Sequence, residues 1–119
     1  MSDDATRIVS AYFDAWRARD PDALRALLAD SATFTGPLGH SENADDYQEA
    51  IGRMFAITTD IVIQKMVADD DDVLTWFELH TSVAPPAPVA NWSRIENGKI
   101  ARVRATFDPR PILAAREHS

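Results

Sequence analysis

The chain has 119 residues, 45% of them hydrophobic, with 12 basic against 19 acidic side chains and a net charge of −7. That length gives one domain over residues 1 to 119, its core about 6 to 111, and the negative balance counts against nucleic acid as a partner. The absence of cysteine excludes disulfides and thiolate chemistry and makes a reducing cytoplasm the expected compartment, while no apolar run is long enough to span a bilayer and residues 1 to 10 lack a signal pattern, so no membrane partner is expected.

Ser2, Asp3 and Asp4 offer caps and favourable negative charge for a first helix. Ile8, Val9, Tyr12, Phe13 and Trp16 recur at helical spacing as its apolar stripe, with Asp14 on the side opposite Tyr12. Asp20-Pro21 stops that helix and starts a second, Asp20 as cap and Pro21 at the first helical position. Ala23, Leu24, Leu27 and Leu28 are the buried face expected of the second helix. Ser31 to Thr35 reads as a short strand ended by Gly36-Pro37, and Leu38 to Glu42 as a loop or short edge strand. Asn43 can cap a third helix with Asp45 and Asp46 in its first turn and Tyr47, Ala50, Ile51, Met54 and Phe55 as its stripe.

After that helix the apolar period changes to two. Strands are predicted at about 60–68, 73–83, 88–96 and 100–108. Asp69 to Asp72 makes the first turn and Asn97-Gly98 a tight hairpin, with a Pro-broken connection at Ala84 to Pro88. The tail from Pro109 is Pro-rich and then charged, which predicts a surface segment. Helices followed by a meander of long strands predict an α+β fold, three N-terminal helices packed on a mostly antiparallel sheet.

Several segments resemble the SnoaL-like, nuclear-transport-factor-2-like superfamily: Tyr12-Phe-Asp-Ala-Trp16, the run from Asp20 to Phe34, and the ending Val103-Arg-Ala-Thr-Phe107. The resemblance covers about residues 8 to 111. It implies a curved sheet wrapped around helices into a cone-shaped α+β barrel with a hydrophobic pocket, and a homodimer. It implies a pocket lined by Trp16, Phe34, Phe55, Thr75, Phe77, Ser93, Val103 and Phe107. In the ketosteroid isomerase members, a worked case in protein chemistry, an aspartate base acts with a tyrosine and a protonated aspartic acid. By resemblance Tyr12 stands for that tyrosine, Asn91 for the protonated acid, and Gly36 for the base. One donor matches, one is replaced by another donor, and the base is missing.

Tyr12 can donate to a carbonyl or developing enolate, or can be a core tyrosine satisfied by backbone. Asn91 always carries an amide donor and needs no raised pKa to polarise an oxygen; it can equally satisfy strand-end backbone. His40, close to the missing base, has the chemistry for proton transfer near neutrality or is a solvated loop side chain. Trp76, Glu78 and His80 alternate on one strand face. The superfamily register turns Val73, Thr75, Phe77, Leu79 and Thr81 inward. It sends Trp76, Glu78, His80, Trp92, Arg94, Arg102 and Arg104 outward, where Glu–Arg pairing across strands is reason enough for Glu78.

Asp69 to Asp72 lacks the glycine and distal glutamate of a calcium loop, and three scattered histidines make no zinc motif. No metal and no cofactor are expected, since no glycine-rich phosphate loop is present either. Asp108-Pro109-Arg110-Pro111 reads as a pocket cap or a turn. Two functions follow. One is a cofactor-independent isomerase, cyclase or lyase acting on an apolar carbonyl compound, with Tyr12, Asn91 and His40 as its catalytic groups. The other is a non-catalytic binding or accessory protein for a small apolar ligand. An epoxide hydrolase fits less well, because it needs acids and an arginine inside the pocket.

Overall fold

In a computed structural model the described residues are 2–117, with the side chains of Ser2 and Asp3 not described; the caps expected of those two lie outside the described part. Helix α1 (Ser2–Arg17) is followed by α2 (Pro21–Ala26), strand β1 (Leu28–Gly36), the short strand β2 (Gly39–Ser41) and α3 (Ala44–Phe55). Four long strands come next: β3 (Thr58–Asp69), β4 (Asp72–Thr81), β5 (Ala87–Glu96) and β6 (Lys99–Thr106). A fourth helix, α4 (Arg110–Glu117), ends the described chain. The predicted α+β class holds.

Local chemistry places the helix starts. The Asp20 carboxylate accepts from the Ala23 N–H at 3.0 Å, and the Asn43 side chain accepts from the Asp46 N–H at 2.9 Å. The hairpin between β5 and β6 turns at Asn97 and Gly98, both at positive φ as a tight primed turn requires.

The strands form one open mixed sheet in the order β2-β1-β6-β5-β4-β3. All neighbours are antiparallel except β1 and β6, which run parallel with Phe34 opposite Val103. Irregularities at Thr58/Asp60, Ile63/Lys65 and Arg94/Ile95 interrupt the register, as bulges do where a sheet bends. One face carries the buried Val73, Thr75, Phe77 and Leu79 of β4 and Val89, Asn91, Ser93 and Ile95 of β5. The helices cover that face. Phe13 and Trp16 of α1 pack their rings edge-on against Phe77, at 5.0 and 5.9 Å between centroids. Polar ties hold α1 and the residues after it to β3. The Trp16 Nε1–H donates to Thr58 Oγ1 at 3.0 Å, and Arg17 Nε and Arg19 Nη2 donate to the carbonyls of Ile61 and Thr58.

Two expectations are corrected. Helix α2 stops at Ala26, so Leu28 belongs to a β1 three residues longer at its start than predicted, and Ala23 is exposed; only Leu24 is buried on α2. The tail is not a plain surface segment: it forms α4, and Ile112 is 3% exposed. Prolines at 109 and 111 obscured this, yet a helix tolerates proline at its entrance.

Candidate functional site

Between the helices and the concave face of the sheet lies a cavity of about 360 Å³. Tyr12 reaches it from α1 and Tyr47 from α3. Their hydroxyl oxygens are 2.7 Å apart and share a hydrogen bond, and both side chains are buried. Burial pushes both hydroxyls above the ordinary tyrosine value; for Tyr12 the bond from Tyr47 partly offsets this, and for Tyr47 the neighbouring Tyr12 adds to it. The pair is therefore neutral at ordinary pH. Of its two protons one is spent between the oxygens, and the other can serve a ligand.

Asn91 lines the same cavity from β5. The Ser93 hydroxyl donates to Asn91 Oδ1 at 3.1 Å, so the amide N–H₂ is the group left to a ligand. Trp16, Phe34, Phe77 and Phe107 complete the expected part of the lining, with Val89 and Leu79 beside them. The other four residues expected there, Phe55, Thr75, Ser93 and Val103, are buried in the core around the cavity and do not line it. The Thr75 hydroxyl has no hydrogen-bond partner among the described residues.

His40 stands at the mouth. Its Nδ1 is 2.9 Å from Thr35 Oγ1 and its Nε2 is 2.8 Å from Glu42 Oε1, so both ring nitrogens are engaged at the rim. The charged lining residues Asp46, Glu49, Arg53 and Arg116 are all exposed, which puts charge at the mouth and leaves the aromatic interior neutral. At Gly36 a Cβ would stand 2.9 Å from Phe34 Cζ. The Phe34 ring fills the space a base there would need.

Tyr47 was not foreseen as a site residue; sequence placed it only in the apolar stripe of the third helix. A signal existed, since a tyrosine on a buried stripe needs a partner for its hydroxyl, and Tyr12 has the same need. The register of β4 is as predicted. Trp76 is exposed on the convex face and Glu78 and His80 pair with each other there at 3.1 Å, away from the cavity. The expected Glu78–arginine pairing does not form; the cross-strand ion pair is Arg94 with Asp72 at 2.9 Å. Trp92 is flanked by Arg102 and Arg104, whose guanidinium carbons lie 5.0 and 5.6 Å from its ring centroid. Among the described residues no group of three or more His, Asp or Glu is placed to hold a metal ion. No helix among them is long and apolar enough to cross a membrane.

The profile of the SnoaL-like domain family matches residues 9–103. The chain is a SnoaL-like domain. A Kribbella flavida crystal structure is 25% identical to this SnoaL-like domain, with a TM-score of 0.87 over 94% of this chain and 93% of its own. An M. tuberculosis LEH-like epoxide hydrolase is 20% identical, with a TM-score of 0.79 over 98% and 92% of the two chains. A Catenulispora acidiphila protein with a ketosteroid isomerase-like fold is 22% identical, with a TM-score of 0.74 over 91% and 90%. Identities this low carry the fold and not the chemistry. No protein of curated function matches the chain.

Proposed function

We propose that this SnoaL-like domain holds a small, largely apolar ligand by a carbonyl or hydroxyl oxygen set against the Tyr12–Tyr47 pair, with Asn91 as a second donor. The observation that carries this is the buried, neutral hydroxyl pair opening onto an aromatic-lined cavity. A buried hydroxyl whose partner already supplies one bond is a strong donor, because each bond in such a chain polarises the next. The test compares 1-tetralone with tetralin, which lacks the oxygen. The wild-type protein should prefer the ketone by about tenfold, near the value of one hydrogen bond. Tyr12→Phe/Tyr47→Phe together should reduce the preference, and adding Asn91→Ala should erase it. Equal binding of ketone and hydrocarbon by the wild type would sink the proposal.

A catalytic reading is favoured by one observation, that His40 lines the same cavity. On that reading the ligand is enolised, Tyr12 and Asn91 stabilise the oxygen, and His40 or a bound water moves the proton, as an isomerase, cyclase or lyase would require. The neutral interior and the missing base at Gly36 support binding over catalysis. Exchange of the protons beside the tetralone carbonyl in D₂O separates the two: exchange above buffer that His40→Ala abolishes would favour the enzyme. An epoxide hydrolase is less well supported, because Arg102 and Arg104 pack on Trp92 on the convex face. The exposed Leu74 and Trp76 of that face support a homodimer joined through it.

A further inference from the structure

Most of the cavity wall comes from α1, α3 and the sheet, but its last pieces, Phe107 and Arg116, come from the C-terminal segment. That segment lies beyond residues 9–103, the part of the chain the family profile matches. It is built differently from the rest. Helix α4 has eight residues, too few to be stable alone. Ile112 is its one buried side chain, while Leu113 beside it is 41% exposed. Its entrance is self-contained. The Asp108 carboxylate accepts from the Arg110 N–H at 3.1 Å and grips the Arg110 guanidinium at 2.9 and 2.8 Å, contacts within the segment and not to the body. Pro109 follows Asp108 directly, between the end of β6 and the first residue of α4.

We infer that α4 is a strap over the cavity mouth, held shut by Ile112, which releases as a unit about Asp108–Pro109 to admit the ligand while the sheet stays folded. A segment with one buried side chain opens at a small fraction of the free energy that unfolds the core. Opening exposes Phe107 and withdraws Arg116, so the mouth widens on one side without disturbing the Tyr12–Tyr47 pair. This rests on the cavity being the ligand site, but part of its test does not.

Two measurements decide it, both on the full chain. Native-state hydrogen exchange should show the α4 amides exchanging at least about a hundredfold faster than those of β4 and β5, with no dependence on low urea, the mark of local opening. Exchange of α4 only with global unfolding would overturn the strap. In stopped flow with N-phenyl-1-naphthylamine, a neutral apolar fluorophore, Ile112→Ala should raise both association and dissociation rates, the latter about tenfold. Leu113→Ala, altering an exposed neighbour, should leave both unchanged. Unaltered rates in Ile112→Ala, or equal effects of the two variants, would also overturn it. Failure of the fluorophore to enter at all would count against the ligand pocket, and the exchange experiment would still judge the strap.

Discussion

Tyr12 and Tyr47 each become a liability if the other is removed, because a buried hydroxyl without a partner costs about 1–3 kcal/mol. Tyr12→Phe and Tyr47→Phe should therefore each destabilise the protein by about that amount. The double variant leaves no orphan and should lose less than the sum, with a coupling of about 0.5–3 kcal/mol in a urea double-mutant cycle. Additive losses would mean the two hydroxyls act independently. The pair also sets an alkaline limit. Both hydroxyls titrate above their unfolded value because burial disfavours the phenolate. The folded chain thus keeps protons that the unfolded chain would release. The stability they contribute is full below about pH 10, the ordinary tyrosine value, and is lost as pH rises through the folded-state values. Stability of the wild type should fall on that side of pH 10, and the double phenylalanine variant should fall less steeply.

At the level of elements, the start of α3 positions one half of the hydroxyl pair. Asn43 caps it, and Tyr47 follows in the next turn. Asn43→Ala should cost about 1 kcal/mol in thermal unfolding, while Asn43→Ser, which keeps a side-chain acceptor, should cost much less. Equal losses would assign the effect to something other than the cap. This cap was legible in the sequence because Asn before two aspartates is a local signal, as were Asp20-Pro21 and Asn97-Gly98. The face of β4 was legible too, since period two separates Thr75 and Phe77 from Trp76. What was hidden depends on distant partners. Leu24, Leu27 and Leu28 suit a helix stripe as well as a helix followed by a strand. Only the parallel pairing of Leu28 with Ile100 decides for the strand. Tyr47 could be read as stripe but not as the partner of Tyr12, 35 residues away. Helix α4 was hidden by two prolines whose positions suit a helix entrance as well as a turn.

The molecule as a whole divides its labour between two faces of one sheet. The concave face holds the cavity; the convex face leaves Val67, Leu74 and Trp76 between 46 and 48% exposed, with Val62 beside them at 38%. Their registers put them together: Val67 is opposite Leu74, and Trp76 lies one step further along β4. A contiguous apolar patch of this kind is costly to leave in water, and a second copy laid on it would bury it while leaving the cavity mouth free. Acid and base are interspersed around the patch: Arg94 stands between Asp72 and Glu96, at 2.9 and 3.9 Å. Light scattering at micromolar concentration should therefore give twice 13.2 kDa. Trp76→Glu puts a carboxylate on an exposed site, opens no void in the core, and should give the monomer mass with unchanged circular dichroism. It should leave 1-tetralone binding intact, since the cavity lies on the other side of the sheet. A wild-type monomer would reject the interface, and loss of ketone binding in a folded Trp76→Glu would show that the two faces are coupled.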